Sequence, residues 1–215
     1  RELADLSLLT CAQQSAMNFG ILLVQRLVDS FGPVIMAAFA AAVKIDSFAY
    51  LPVQDFGNAF STFAAQNYGA GQIKRCRKTL ALCIIEDAIA SAAAIILVLL
   101  TGKFLLSIFN NDPAVISIGY SRLLFIFTAY IFSMLYEVMS GYLRGFGISF
   151  VPAILTILGV CGVRIAWVYT AFPKNPTFRT LLMAYPLSLS ITALLILGAL
   201  LFYHPSRSCI QKTES

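Results

Sequence analysis

Histidine occurs once in these 215 residues, tryptophan once, and the five cysteines follow no CxxC or metal-ligand spacing. The lone His204 stands beside Pro205 where a helix has to stop, so it reads as a surface residue and imidazole catalysis has no residue to use. Cys11, Cys76, Cys83, Cys161 and Cys209 read as small core-filling thiols. HExxH, GxSxG, a Walker P-loop and GxGxxG are all missing, so the chain is read as no enzyme, as needing no cofactor, and as no self-contained ATP-driven pump. A filter-like repeat of the kind that lines a channel is missing too. Charge is scarce, at 12% of residues against about 25% in an ordinary soluble chain. No hydrophilic domain, low-complexity run or repeat of 20–50 residues interrupts the chain.

Apolar residues take the place of charge, at 59% of the chain and a mean hydropathy of +0.83. Crossing about 30 Å of hydrocarbon takes roughly 20 mostly apolar residues. Windows of that length lie near residues 4–27, 34–60, 80–101, 115–141, 150–172 and 180–203. Barrel strands would be about 9–11 residues long and alternate with period two. Ala88 to Leu100 does not alternate, so the expected fold is an all-α integral membrane bundle of six spans, over residues 1–204, with a short cytoplasmic tail at 205–215.

The formal charge of +5 raises nucleic acid as a partner, but in so apolar a chain the position of the basic residues is more informative than their sum. Lys74, Arg75, Arg77 and Lys78 cluster after the second window, and the positive-inside rule puts that loop in the cytoplasm. Arg1, Lys74, Arg75, Arg77, Lys78, Arg144, Arg207 and Lys212 then lie inside, against Arg26, Lys103, Lys174 and Arg179 outside, eight to four. Both termini are accordingly expected in the cytoplasm and the chain in the inner, cytoplasmic membrane. The chain opens with Arg1-Glu2 and shows no secretory leader, which reads as a start within a longer protein.

Breakers fall between the windows. Phe31-Gly32-Pro33 turns the chain, Gly69-Ala70-Gly71 ends the second span, Pro113 opens the fourth, and Gly145-Phe146-Gly147 and Phe172 to Pro176 close the next two. Ala37 to Ala42 and Ser91 to Ala94 supply small residues for close helix contact in lipid.

Ionisable residues inside a span cost at least about 2.5 kcal/mol each on insertion scales, so Lys44, Asp46 and Asp55 must face protein or water. Lys44 and Asp46, two apart, point to different helix faces and seek partners elsewhere. They form either a packing network or a site for a coupling ion or solute, and Pro52 between Asp46 and Asp55 offers a bend. Glu137 is either a proton carrier or the partner of Arg144, seven residues on. Gln13, Gln14 and Asn18 make a polar patch, with Gln14 and Asn18 one turn apart, suited to interhelical hydrogen bonds or to lining a solute path. Glu86 and Asp87 are expected to snorkel toward Arg75, Arg77 or Lys78. Arg122 and Arg164 are expected as anchors or cavity linings, and a few of the aromatics as a lining for flat organic cations.

At Gln66-Asn67-Tyr68-Gly69-Ala70-Gly71-Gln72-Ile73-Lys74-Arg75, following Pro52 to Phe63, the chain resembles the multidrug and toxic compound extrusion (MATE) family. The likeness recurs at Gly141-Tyr142-Leu143-Arg144-Gly145-Phe146-Gly147, with Pro152 beyond, and at Arg164-Ile165-Ala166-Trp167, in matching order and spacing. The resemblance implies half of a twelve-helix, two-lobe fold, this chain being the C-terminal lobe whose partner is a missing N-terminal six-helix lobe. It implies export of cationic amphiphilic drugs or metabolites in exchange for Na+ or H+, with substrate and lipid bilayer as the other partners and no nucleic acid. Some members use acids in spans seven and ten. Here those places hold Gln13 and Gln14, and Ser133, so that cation site does not carry over, and the coupling acids lie in the missing lobe or are Asp46 or Glu137. The candidate pathway residues are thus Gln13, Gln14, Asn18, Lys44, Asp46, Asp55, Glu137 and Arg164. Two other readings stand beside this one: a lipid-linked saccharide flippase, which Arg122 and Arg164 suit, and a non-transporting remnant.

Overall fold

The computed structural model describes residues 2–203, the side chains of residues 2–7, 9, 10, 14, 16 and 17 excepted. His204, Cys209, the expected tail at 205–215 and the side chain of Gln14 lie outside the described part. Among the described residues every regular element is helical: α1 Glu2–Asp29, α2 Pro33–Gly69, α3 Ile73–Phe109, α4 Pro113–Phe127, α5 Tyr130–Gly145, α6 Phe150–Thr156, a π turn Ile157–Gly162, α7 Val163–Thr170, α8 Phe178–Leu182 and α9 Ala184–Tyr203.

The breakers act as expected. Asp112 caps α4 by accepting from the Ala114 amide at 2.9 Å, and Pro113 occupies the first turn, where its missing N–H costs nothing. Only Ala70–Gln72 separates α2 from α3, with Gly71 at φ 70° in the reversal. The expected basic loop is therefore helical, and Lys74, Arg75, Arg77 and Lys78 stand exposed on the first turns of α3. At about 1.5 Å per residue the 37-residue α2 and α3 reach about 55 Å, well beyond the hydrocarbon.

Four stretches are long and apolar enough to span a membrane: Pro33–Gly69, Ile73–Phe109, Phe150–Thr170 and Phe178–Tyr203. The pair α4 and α5 makes a fifth, bent by 47°. The sequence-based count of six is thus met only if α1 is added. At 28 residues α1 has the length, but Gln13, Gln14, Ser15 and Asn18 dilute its apolar centre. The bend between α4 and α5 was not expected, since neither Pro nor Gly lies at Thr128-Ala129. The Thr128 hydroxyl donates to the Phe125 carbonyl at 2.7 Å, one way a side chain enters the helical ladder. Pro52 sits inside a continuous α2.

Succession places the α2 and α5 C-termini and the α3 N-terminus at one end of the bundle, where the Tyr68 and Phe146 rings meet at 5.0 Å. Lys74, Arg75, Arg77, Lys78 and Arg144 gather there. At the other end Phe31 packs on Phe172 and Phe178, beside Arg26, Lys174 and Arg179. The outer surface carries Leu100, Phe104, Leu194 and Phe202, each more than 60% exposed, as a lipid-facing surface requires.

The core runs between α2, α4, α5, α8 and α9, with Phe39, Ala42, Leu123 and Leu181 fully buried. Along α5, Glu137, Gly141 and Gly145 repeat every four residues and lie against Gly57, Ser61 and Ala64 of α2. A Cβ on Gly141 would stand 2.4 Å from the Gly57 carbonyl oxygen, so the two backbones touch as small-residue interfaces in lipid allow. That contact is what carries Glu137 into the interior. Cys76, Cys83 and Cys161 are buried thiols as expected, while Cys11 is exposed.

Candidate functional site

A cavity of about 200 Å³ opens between α1, α2, α4, α5, the π turn, α7 and α9. Its polar wall is made by Asp46, Ser47 and Tyr50 of α2, Arg122 of α4, Tyr130 and Tyr136 of α5, Arg164 of α7 and Tyr185 of α9. On α2 the spacing 43, 46, 47, 50 keeps these residues on one face. Lys44 falls on the neighbouring face with Phe48, Leu51 and Asp55, all exposed. Lys44 and Asp46 are thus separated as the two-residue spacing predicted.

Asp46 is held from two sides. An Arg122 Nη stands 3.8 Å from its carboxylate, too long for a hydrogen bond, and Tyr130 donates its hydroxyl to the same carboxylate. Arg122 is only 1% exposed, and its Nε and Nη1 are buried without a hydrogen-bond partner among the described residues. Its guanidinium stacks on Phe39, 4.4 Å from the ring centre, with Tyr185 at 5.8 Å. Arg164 sits just past the π turn, whose extra residue rotates α7 toward α9. There its Nε donates to Ser188 at 3.1 Å and its guanidinium lies 4.4 Å from the Tyr185 ring. The π turn itself approaches α9 through Gly159, where a Cβ would meet the Thr192 side chain at 2.3 Å.

Tyr50 links this wall to the second acid. Its hydroxyl donates to Glu137 at 3.0 Å and contacts the Tyr136 hydroxyl at 2.9 Å. Having one proton to give, Tyr50 must accept from Tyr136. The other oxygen of Glu137 faces Arg144 at 3.8 Å. A polar chain Tyr136–Tyr50–Glu137–Arg144 therefore leads from the cavity to the basic end, where Arg144 is 27% exposed. Replacing Tyr50 by Phe leaves the Glu137 carboxylate short of a donor. That change is expected to cost about 1.5–3 kcal/mol, read as a lowered melting temperature in detergent with secondary structure intact.

Of the sequence-predicted residues, Asp46, Arg164 and Glu137 come together around this network. The Glu137–Arg144 pair is present as the seven-residue spacing implied. Lys44, Asp55 and Asn18 are exposed on this chain and Gln13 is half-buried; none of them lines the cavity. Asp87 departs from expectation: it is fully buried, accepts from Ser91 at 2.8 Å, and makes no ion pair with the α3 basic residues among the described residues. It lies one turn nearer the membrane interior than Cys83, on the packed face of α3, out of reach of the helix's exposed basic face. The tyrosines Tyr50, Tyr130, Tyr136 and Tyr185 were foreseen only as unnamed cavity aromatics. Of their partnerships, those between α2 and α5 span 84–87 residues, which no local spacing displays.

Long apolar helices packed around a cavity with one polar wall define a multi-pass helical membrane protein. A family model described as MatE matches residues 9–170, and the chain belongs to that family. It is 25% identical over 177 residues to the probable multidrug resistance protein YoeA of Bacillus subtilis, covering 81% of this chain and 38% of that one. The probable multidrug resistance protein YpnP of Bacillus subtilis is 28% identical over 152 residues, 71% of this chain and 34% of YpnP. The fold matches the outward-facing form of a multidrug resistance MATE family transporter of the MOP superfamily, with TM-score 0.82 at 18% identity over 94% of this chain and 45% of that one. It matches equally, at TM-score 0.82 and 18% identity, a MOP superfamily transporter from Pyrococcus furiosus described as having a binding pocket of reverse polarity that suggests a different function. The chain spans a little over a third of the curated relatives and under half of the solved structures it matches. These relatives are transporters, not enzymes.

Proposed function

We propose that this chain is the C-terminal lobe of a secondary antiporter in the cytoplasmic membrane that exports cationic amphiphilic drugs or metabolites in exchange for Na+ or H+. The observation that carries the reading is the placement of two carboxylates, Asp46 and Glu137, at membrane depth beside one cavity. Each is held by an arginine at 3.8 Å and by a tyrosine hydroxyl, not by a closed bidentate pair. A carboxylate with such an open partner can exchange it for a cation, and exchange between solute and coupling ion at one carboxylate is what antiport needs. Tyr136, Tyr50 and Glu137 offer a hydrogen-bonded route from the cavity toward the basic end. Both termini of this chain then face the cytoplasm.

The missing lobe has a place to sit. Lys44 and Asp55 are ionisable, lie within an apolar helix, and are exposed on this chain alone, as lipid would not permit. That face of α2, with Asn18 of α1, is assigned to the cleft between lobes.

Efflux of ethidium from cells expressing the intact transporter tests the reading. Asp46→Asn is expected to lower ion-coupled efflux at least tenfold when compared at equal membrane abundance; wild-type efflux at equal abundance would reduce Asp46 to packing. Glu137→Gln is expected to remove the dependence of transport on the ion gradient. A second reading, a lipid-linked saccharide flippase, is favoured by one feature: the cavity holds two arginines, Arg122 and Arg164, against one acid.

A further inference from the structure

We infer that the cavity of this lobe is a binding subsite for the carboxylate of a small organic monoanion, a function beyond the export of cations proposed above. Two guanidiniums and one carboxylate leave the cavity one positive charge in excess, and a single negative charge neutralises it. A doubly charged phosphate would overshoot.

Arg122 supplies the anchor. It is 1% exposed, forms part of the cavity wall, and has Nε and Nη1 without hydrogen-bond partners among the described residues. Its ionic partner among the described residues, Asp46, stands at 3.8 Å and is itself 20% exposed. A planar guanidinium presents paired N–H groups that fit a carboxylate bidentately, and buried donors left unpaired carry a cost that an entering acceptor removes. Arg164, whose Nε donates to Ser188 and whose guanidinium lies on the Tyr185 face, lines the same space. The site already accepts one carboxylate, because Asp46 faces Arg122 and takes the Tyr130 hydroxyl. An entering carboxylate competes with Asp46 for that guanidinium.

Size and walls narrow the class. A volume of 200 Å³ is that of roughly six or seven waters in the liquid at about 30 Å³ each, so a single ring bearing a carboxylate fits. The tyrosine rings at 50, 130, 136 and 185 suit an aromatic or apolar body.

Titration calorimetry on the purified intact protein in lipid nanodiscs tests this, with benzoate as the probe and its neutral isostere benzamide as the control. Benzoate is expected to bind at least tenfold more tightly than benzamide. Arg164→Gln is expected to weaken benzoate at least tenfold, and Asp46→Asn, which removes the internal competitor, to tighten it at least threefold. Should Asp46→Asn fail to fold, Ser47→Asp at the exposed cavity edge adds a second competitor and is expected to weaken benzoate at least threefold. Equal binding of benzoate and benzamide, or weaker benzoate binding to Asp46→Asn, would overturn the inference. Inorganic phosphate displacing benzoate at lower concentration than acetate does would overturn the carboxylate assignment in favour of a phosphate head group. Ethidium titrated in parallel reports on the cation reading: its loss in Asp46→Asn together with tighter benzoate supports both, and unchanged ethidium with tighter benzoate supports this one alone.

Discussion

Gly141→Ala is expected to remove most of the protein from the membrane, although only one methyl group is added. The new Cβ would stand 2.4 Å from the Gly57 carbonyl oxygen, and that oxygen belongs to the α2 backbone, so no rotamer relieves the clash. Overpacking costs typically about 1–3 kcal/mol, and a rigid backbone neighbour puts this position at the upper end. The displacement falls on the seam that also seats Glu137, so residual protein is expected to transport poorly. Gly198→Ala is the control, because nothing lies within 4 Å of its Cβ and alanine favours the helix. Membrane abundance and melting temperature of the two variants check the prediction: a normal Gly141→Ala would mean that α2 and α5 do not touch here.

The second large effect belongs to Arg122. Arg122→Met leaves Asp46 without its guanidinium in a mostly apolar surround, and breaking a buried ion pair by removing one partner costs about 3–5 kcal/mol. Met also forfeits the stacking on Phe39. Adding Asp46→Asn removes the stranded charge while keeping an acceptor for Tyr130. The double variant is therefore expected to recover most of the lost stability, and the coupling in that cycle measures the pair. A double variant as unstable as Arg122→Met would place the cost in packing around Phe39 and Leu123.

Much of the bundle was legible because lipid imposes length and composition on whatever crosses it. Pro113 and Gly69-Ala70-Gly71 marked helix ends by local rules that tertiary structure does not override. The extension of α2 and α3 beyond their apolar windows was hidden, since residues 61–69 and 73–79 are polar yet helical and pack through Ala64, Asn67 and Cys76. The bend at Thr128-Ala129 and the π turn carry no proline to announce them, although they aim Tyr130 and Arg164 at the cavity.

At the site, the distinction is between pairs within one helix and pairs across helices. Glu137 and Arg144 share α5, so their spacing announced them. Asp46 with Arg122 and Tyr130, and Tyr50 with Glu137, join residues dozens of positions apart. The sequence could say only that Asp46 needed a partner. Asp87 illustrates the opposite failure: proximity along α3 to four basic residues suggested pairing, but helical phase turned it inward to Ser91.

The central proposal is that this chain is one lobe of an ion-coupled exporter and needs its counterpart. Ethidium efflux from cells expressing the chain alone, beside cells expressing it joined to an N-terminal six-span lobe, tests that most directly. Efflux by the joined protein only is the predicted result, collapsing when the Na+ and H+ gradients are dissipated. Gradient-driven efflux by the chain alone, at equal membrane abundance, would contradict the account and make it a self-sufficient carrier.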